Sequence, residues 1–440
     1  MKSRRAVSTA WHNWAGNQRA TAAVAVCPET RDDLVAAIGQ AVAGGRKVRV
    51  AGAGYSCSAA VSTDGCLIDL GRYGRLLAVD RDAGTATVEA GIAMGELAAA
   101  LAERELALPV MGDAPGATLG GSLATGTHGS GGRMPALAAW VAGFELITAD
   151  GSVAAVSPER DPDVFGAALV GLGALGVVTT VTVRCVPAFN LRAVEEPAPL
   201  DEVLDSLGSR VDGNDLFEFV WLPFTDWVLT WSSNRSDEPI ERRRPWPPGS
   251  RQLVLGELAT LSRAGAERLG PAVARRMAPP GAALMRAFDR GGYVARGYQV
   301  MGRPRFARVV SMEYAVDRAV AADAMRRVRQ LVQESGFAAA VPVQVRFGAA
   351  DEFPLSPSSG RDSCYIAVHA SPRAGYRPYF AAVEAVLAEL GGRPHWGMLH
   401  SQTAATLAPR YRGWARFQAT RDRLDPQRVF SNDYVARVLG

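Results

Sequence analysis

Lysine, paired cysteines and long apolar stretches are scarce in this 440-residue chain. Its only lysines are Lys2 and Lys47, so arginine provides nearly all of the 48 basic residues, and arginine does not lose its proton in proteins. The five cysteines are far apart and form no C-x-x-C pair, which argues against a disulfide framework and against a zinc site. No segment is long and apolar enough to predict a transmembrane helix.

Charge and composition narrow the class of protein further. The formal net charge is +4 and the basic residues are scattered, so we predict no nucleic-acid partner. Arg4 and Arg5 stand near the start, but no apolar signal-peptide core follows them, and together with the cysteine usage this predicts a cytoplasmic protein. A chain that is 48% hydrophobic and 21% charged is globular, and its length predicts two or three domains.

A first glycine-rich loop, residues 52–56 (GAGYS), follows a short predicted strand at 47–51. It begins like the dinucleotide fingerprint G-x-G-x-x-G, but Cys57 occupies the third glycine position, which disfavours a nicotinamide cofactor. Such a loop can bring main-chain N–H groups close to a phosphate. An ordinary tight turn has the same pattern, so the loop alone does not distinguish a phosphate-binding site from a turn.

A second stretch, residues 112–133, is rich in glycine, threonine and serine. A loop this long with few bulky side chains is uncommon in a compact domain unless it is functional or disordered. Leu119 and Leu123 argue against disorder, so the stretch predicts main chain that lies close to a large, flat cofactor. His128 lies within it, either as a turn residue or as part of the site.

Two predicted strands, 342–348 and 363–370, alternate between apolar and polar residues. Their apolar positions suit packing against the helices predicted at 317–335 and 376–390. If the strands are neighbours, the period of two places the remaining side chains on one shared surface. That surface is either an ordinary solvent-facing sheet or the wall of a polar pocket, and its polar residues are Gln344, Arg346, Tyr365 and His369.

The segment between these regions carries fewer signals. Residues 233–251 are charged and proline-rich and predict an exposed loop, in which Arg242–Arg244 either lie in solvent or bind an anion. Residues 252–290 are rich in alanine, leucine and arginine and predict helix.

Taken together, the motifs of this chain resemble those of the flavin oxidoreductases of the vanillyl-alcohol-oxidase fold. Within that group the chain is most similar to the aldonolactone, gulonolactone and alditol oxidases, and the resemblance covers nearly its whole length. The motifs that carry it are 12–16 (HNWAG), 52–56, 127–129 (THG), 173–176 (GALG), 344–346 (QVR), 355–357 (LSP), 361–363 (RDS), 395–397 (HWG), Asp425-Pro426, Phe430, Asn432 and Tyr434.

The resemblance implies an α+β fold with a two-part, PCMH-type FAD-binding domain and an α/β cap domain whose β-sheet lies over the flavin. It implies an FAD-binding domain at 15–187, a substrate or cap domain at 188–393, and a C-terminal segment at 394–440 that returns to the flavin. It implies no metal. The residues it assigns to FAD are Ala51, Gly52, Ala53, Gly54, Tyr55, Ser56, Thr118, Gly120, Gly121, Ser122, Thr125, Thr127, His128, Gly129, Gly176, Val178, His395 and Asn432.

Three positions depart from the pattern of the family. Tyr55 stands where the family usually has a histidine bonded covalently to the flavin, so we expect non-covalent FAD. Gln344 replaces the glutamate of Glu-x-Arg and cannot act as a base. Met398 replaces the lysine of His-Trp-Gly-Lys, and the loss of one carboxylate and one ammonium leaves the expected net charge of the site unchanged.

The resemblance also implies roles for the remaining polar residues. Arg346 would stabilise negative charge that develops on the substrate oxygen or the reduced flavin. His369, in a His-x-Ser motif with Ser371, would accept the hydroxyl proton. Gln344 and Tyr365 would orient substrate hydroxyls.

The expected function is FAD-dependent oxidation of a CH–OH group by hydride transfer to flavin N5. The substrate would be a sugar-derived alcohol, polyol or lactone, or a less polar natural-product alcohol, and oxygen or another acceptor would reoxidise the flavin. The alternative is a flavin-binding scaffold of the same fold that has lost its chemistry.

Overall fold

The computed structural model describes residues 8–240, 272–287, 292–303, 308–337 and 341–440. The predicted cluster Arg242–Arg244 and most of the predicted helical stretch 252–290 lie outside these ranges. Among the described residues, no helix combines the length and the apolarity that a membrane span needs.

The N-terminal part contains a small parallel sheet and a larger antiparallel one. The parallel sheet has the order β3-β5-β4, and the antiparallel sheet has the order β10-β9-β11-β7-β6. Two short pairs, β1-β2 and β12-β8, complete the strands described in this part. The bounds are β1 Ala10–His12, β2 Arg19–Thr21, β3 Val24–Val26, β4 Val48–Ala51, β5 Cys66–Asp69, β6 Leu76–Asp80, β7 Thr85–Glu89, β8 Leu106–Ala107, β9 Val141–Ile147, β10 Val153–Val156, β11 Val177–Arg184 and β12 Val186–Pro187.

Helices cover these sheets, and local sequence explains where the first one begins. Thr30 accepts a hydrogen bond from the main-chain N–H of Asp33, and the Asp33 carboxylate accepts one from the main-chain N–H of Thr30. This capping box starts the first helix, Arg31–Ala43. The helices of this part are Arg31–Ala43, Met94–Ala102, Leu119–Thr125 and Pro162–Leu169, with a 3₁₀ turn at Leu137–Trp140.

The middle of the chain forms one eight-stranded antiparallel sheet. Its strand order is β16-β13-β15-β14-β18-β19-β17-β20. The strands predicted at 342–348 and 363–370 are β18 and β19, and they are neighbours, as the shared polar surface requires. The bounds are β13 Asn190–Pro199, β14 Leu216–Trp221, β15 Trp227–Ser236, β16 Gly292–Arg296, β17 Val310–Asp317, β18 Val343–Gly348, β19 Ser363–Ala370 and β20 Arg393–Pro394.

The two faces of this sheet are sharply different. One face contributes Val345 of β18, Ile366 of β19 and Met312 of β17 to a core shared with the long helices. Alternate residues therefore point to the opposite face, towards the N-terminal part. The helices of this part are Leu200–Asp205, Leu207–Asp212, Ala272–Ala287, Gly297–Met301, Ala321–Glu334 and Arg377–Glu389, with a 3₁₀ turn at Arg318–Val320.

The C-terminal segment returns to the N-terminal part, as the resemblance implies. Phe417, Phe430 and Val435 belong to the same buried core as Leu34 and Ile38 of the first helix. The expected α+β fold, in which the tail completes the FAD-binding part and a sheet covers it, is confirmed. The helices of the tail are Ala404–Leu407, Trp414–Leu424 and Asp433–Leu439, with a 3₁₀ turn at Ala408–Arg410.

Asn432 has a structural role that differs from the expected contact with FAD. Its Oδ1 caps the last helix by accepting from the N–H of Val435 at 2.8 Å. Its Nδ2 donates to the carbonyl oxygens of Ala59 at 2.9 Å and Ser62 at 2.7 Å. Asn432 therefore ties the tail to the segment that follows the first glycine loop, and it does not border the cleft described below.

Candidate functional site

A deep cleft runs between the glycine-rich loops and the polar face of the eight-stranded sheet. It encloses about 1580 Å³ including its open mouth. Three segments supply most of its wall, namely 52–56, 112–128 and 172–178.

Most of the residues expected to contact FAD border this cleft. Ala51, Gly129 and Asn432 do not. Those that do are Gly52, Ala53, Gly54, Tyr55, Ser56, Thr118, Gly120, Gly121, Ser122, Thr125, Thr127, His128, Gly176, Val178 and His395.

Close packing of the two loops explains why glycine is needed in this wall. A Cβ on Gly52 would lie 2.1 Å from Thr118 Oγ1, and Gly54 has a φ of +69°, which favours glycine. The buried Ser122 Oγ belongs to the wall of the cleft and finds no hydrogen-bond partner in the part of the chain that the structure describes. A wall of close main chain with an unsatisfied buried hydroxyl fits a bound FAD.

The polar face of the sheet contributes Arg346, which borders the cleft. Arg346 is 5% exposed, and its Nη2 donates to Glu313 Oε1 at 2.6 Å. Glu313 lies on β17, and β19 lies between β17 and β18. Ala367 of β19, which has a small side chain, is the strand partner of Glu313 on one side and of Gln344 on the other. The long side chain of Arg346 therefore crosses β19 to reach its partner.

Glu313 is the functional residue that the sequence analysis missed. It is 0% exposed. Burial by itself would raise its pKa, but Arg346 and then His128 hold the pKa of the carboxyl well below its usual range. Burial likewise would lower the pKa of Arg346, but Glu313 raises it above the ordinary value. A single charged residue in the largely apolar run 310–316 (VSMEYAV) was the available signal, because charged residues are almost never fully buried unless they are paired.

His128 and Tyr365 form a stacked pair beneath the same ion pair. Their ring centroids are 3.4 Å apart, His128 Nδ1 donates to the carbonyl oxygen of Gly129 at 2.9 Å, and Nε2 lies 3.5 Å from Glu313 Oε1. The Tyr365 hydroxyl is bonded to Ser358 Oγ at 2.6 Å. Tyr365 does not border the cleft. Its contacts therefore favour a role in packing against His128 over the expected contact with substrate hydroxyls.

His395 is the second buried imidazole of the site. Its Nδ1 accepts from the N–H of Gly397 at 3.1 Å, so the neutral ring carries its hydrogen on Nε2. Burial lowers its pKa from 6.5 to about 4, which keeps the ring neutral. His395 therefore offers a hydrogen-bond donor and cannot accept a proton on Nδ1 without losing the bond to Gly397.

The ligand atoms of His128, Glu313 and His395 lie within 4.8 Å of one another, a spacing that could hold a metal ion. The guanidinium of Arg346 already binds Glu313 Oε1, and its positive charge opposes a second cation there. The described contacts therefore favour an ion pair.

The other residues expected to be catalytic lie away from the wall of the cleft. Gln344 and His369 share the polar face with Arg346, as alternation predicts. Tyr365 is the strand partner of Arg346, and His369 comes four residues later on β19. The main chain of His369 is therefore about 13 Å along the strand from that of Tyr365. His369 Nδ1 is bonded to Ser311 Oγ at 2.7 Å, and Ser371 Oγ accepts from the N–H of Arg373 at 3.2 Å.

Comparison with known families identifies the group to which this site belongs. The FAD binding domain model matches residues 22–157, and the D-arabinono-1,4-lactone oxidase model matches residues 181–438, more than half of the 440 residues. The chain belongs to the D-arabinono-1,4-lactone oxidase family.

Individual members of this family are similar to this chain over nearly its full length. The L-gulono-1,4-lactone dehydrogenase of Mycobacterium tuberculosis is 40% identical over 440 residues, covering 99% of this chain and 100% of that protein. The L-gulonolactone oxidase of Mus musculus is 32% identical, covering 90% of each chain. The alditol oxidase of a Streptomyces species is 31% identical, covering 98% of this chain and 100% of that protein. The chain is an FAD-dependent oxidoreductase, as the sequence predicted.

A solved structure confirms the fold. Cholesterol oxidase from B. sterolicum superposes with a TM-score of 0.83, covering 99% of this chain and 97% of that one. The sequence identity is 17%, so this likeness concerns the fold alone.

The low pKa of the buried His395 predicts how the stability of this protein depends on pH. The folded pKa of about 4 lies below the ordinary 6.5, so the unfolded chain binds a proton in this window that the folded chain does not. Stability should therefore fall as the pH drops from 6.5 to 4, by about 3 kcal/mol in total from this group. Replacement of His395 by glutamine should remove that part of the slope, as measured by denaturant unfolding across this range.

The control is His12→Gln, because His12 is exposed on β1. Burial also lowers the pKa of His400, to about 3, so only the difference between wild type and variant is diagnostic. Equal slopes for wild type and His395→Gln would contradict the assignment of a buried, neutral His395.

Proposed function

We propose that this protein oxidises a CH–OH group of a sugar-derived alcohol, a polyol or a lactone. The full-length relatives are named for lactones and alditols, which supports this substrate class. The observation that carries the proposal is the position of Arg346. Its buried guanidinium borders the cleft that suits FAD and also borders a second, polar cavity on the side of the sheet.

The segments that would hold FAD are 52–56, 112–128 and 172–178, with His395 on the opposite side. Bound FAD would supply the acceptor for the hydride of the substrate. Tyr55 stacks on Trp14 with ring centroids 5.5 Å apart, and it cannot form the histidyl link of the family, so we propose that FAD is held without a covalent bond.

Arg346 would stabilise negative charge on the substrate oxygen as its proton leaves. Because Glu313 holds one end of the guanidinium, the group is oriented before a ligand arrives. Arg346 Nε is buried and has no hydrogen-bond partner among the described residues, so this N–H would be available to an oxygen of the substrate. His395 Nε2–H would be a second donor, and Gln344 would orient a neighbouring hydroxyl.

We propose His369 as the acceptor of the hydroxyl proton, with Ser371 beside it on the chain. It shares the polar face with Arg346, and the bond to Ser311 fixes its ring. Arg346 reaches Glu313 on β17, which is two residues from Ser311, so the guanidinium and the His369 ring lie at neighbouring positions of the same face.

The acceptor that reoxidises the flavin, oxygen or another compound, and the compartment are further parts of the proposal. None of the five cysteines forms a disulfide in the structure, which is consistent with the proposed reducing cytoplasm.

The first experiment mixes the FAD-loaded protein, without oxygen, with a panel of alditols, 1,4-lactones and apolar alcohols. Loss of the visible absorbance of oxidised flavin identifies a substrate, and we expect it with an alditol or a lactone. A flavin that no member of the panel reduces would support the alternative, a flavin-binding protein without this chemistry.

The same assay tests the proton acceptor. His369→Ala should slow flavin reduction at least about 10²-fold, the low end for general-base catalysis. Reduction at the wild-type rate would remove His369 from the mechanism.

The mode of flavin attachment is tested by acid precipitation. Because Tyr55 replaces the linking histidine, the flavin should stay in the supernatant when the protein precipitates. A matched variant, Tyr55→His, restores the residue of the family and shows whether the position can still form the bond. Yellow colour that stays with the precipitated wild-type protein would contradict non-covalent binding.

A further inference from the structure

Three buried polar atoms that lack hydrogen-bond partners within the described residues lie together beside the cleft. They are Nε2 of His128, Oε2 of Glu313 and Nε of Arg346, and the three side chains belong to residues that are at most 5% exposed. Buried polar groups are nearly always hydrogen-bonded, so such a cluster indicates that something is added in the working protein. The proposed contact with the substrate oxygen uses Arg346 Nε, and the two acceptors remain.

The hydrogen bonds of His128 determine which of its ring atoms can take up a proton. Its Nδ1 lies 2.9 Å from the carbonyl oxygen of Gly129, and a carbonyl oxygen only accepts, so Nδ1 carries a hydrogen. In the neutral ring Nε2 therefore has a lone pair, which faces Glu313 Oε1 at 3.5 Å. One proton added to Nε2 would turn this contact between two acceptors into a charge-assisted hydrogen bond.

Two neutral rings also face His128. Tyr365 of β19 stacks on it, and the ring centroid of His395, which follows β20, lies 5.8 Å away. Burial raises the pKa of Tyr365 above its ordinary value and lowers the pKa of His395 to about 4, so neither ring is charged near neutral pH. Neither ring therefore supplies a charge that would replace the proton on His128.

The charged groups around His128 come from two strands and from the second glycine-rich stretch. Glu313 lies on β17, Arg346 binds it from β18 at 2.6 Å, and Asp113 Oδ2 lies 3.9 Å from Arg346 Nη1. While the flavin is oxidised, the positive charge of Arg346 and the burial of the ring both oppose a second positive charge on His128.

We infer that His128 and Glu313 form a proton-accepting pair that takes up one proton when the flavin is reduced. His128 borders the cleft, and negative charge gained by the flavin there favours a positive imidazole. The new Nε2–H donates to Glu313, which holds the imidazolium in place. The inference rests on the proposed function, to which it adds a second site for a proton.

Protons and electrons balance with this step. The CH–OH group gives the flavin a hydride, which is two electrons and one proton, and its hydroxyl proton goes to His369 and then to solvent. The pair takes one proton from solvent, so the negative charge added to the cleft is compensated. When the acceptor removes the two electrons, the proton on His128 returns to solvent with the proton of the hydride.

Redox potentiometry of the FAD-loaded protein tests the inference without a substrate. Dithionite reduces the flavin in equilibrium with a reference dye and a metal chelator, between about pH 5 and 8, where an imidazole changes charge. A tenfold change in proton activity shifts the midpoint potential of a two-electron couple by about 30 mV for each proton taken up. The absorption spectrum of the reduced flavin, recorded at each pH, shows how many protons the flavin itself holds.

The wild type should take up one proton more than the reduced flavin holds over part of this range. His128→Asn should lose that proton, so its slope should be shallower by about 30 mV per pH unit. Asparagine keeps an N–H that can donate to Gly129 but has no group that titrates here. The matched control is His400→Gln, because His400 is bonded to Tyr434 and does not border the cleft, and it should keep the wild-type slope.

Each result decides the inference. A wild-type slope that the reduced flavin alone explains, or an unchanged slope in His128→Asn, would overturn it. Should His128→Asn fail to bind FAD, Glu313→Gln decides instead, because its amide oxygen can still accept from Arg346 but brings no negative charge to hold an imidazolium. Loss of the same proton in Glu313→Gln supports the pair, and its retention overturns the pair.

The outcome is separate from that of the substrate panel. Dithionite reduces the flavin whether or not an alditol or a lactone does, so the proton count is obtained in either case. A flavin that no member of the panel reduces would reject the proposed function, whereas a missing proton would reject only the pair of His128 and Glu313.

Discussion

The ion pair between Arg346 and Glu313 is the contact on which the candidate site depends. Both side chains are at least nine-tenths buried, and either charge alone would be costly in that position. Together they place a fixed positive group at the junction of the cleft and the second cavity, with two imidazoles beside it. Chemistry on a substrate oxygen needs such a group in place before the ligand binds.

The same pair explains how the chain accommodates its departures from the family pattern. The sequence shows a glutamine at 344 and a methionine at 398, which suggests a site without the carboxylate of the family. The structure supplies a carboxylate from β17, across Ala367 from Gln344. The negative charge that Arg346 needs is therefore present on a different strand of the same sheet.

Period-two alternation was enough to predict that Gln344, Arg346 and His369 share one face, and the resemblance was enough to predict the glycine-lined cleft. What could not be predicted depends on contacts between distant segments. Glu313 meets Arg346 only because β17 and β18 flank β19, a register that no local pattern in the sequence encodes. Tyr365 lies on the same face of its strand as the pocket residues, but its hydroxyl is bonded to Ser358 in the loop before that strand. Asn432 is part of a family motif, and the structure shows that its amide holds the main-chain carbonyls of Ala59 and Ser62.

A double-mutant cycle on the free energy of unfolding tests the central ion pair most directly. The proteins are the flavin-loaded wild type, Arg346→Met, Glu313→Met and the double variant. Each single variant strands one buried charge and should lose about 3–5 kcal/mol, whereas the double variant should lose clearly less than the sum of the two. Losses that add up within about 0.5 kcal/mol would show that the two side chains do not interact, and would contradict this account of the site.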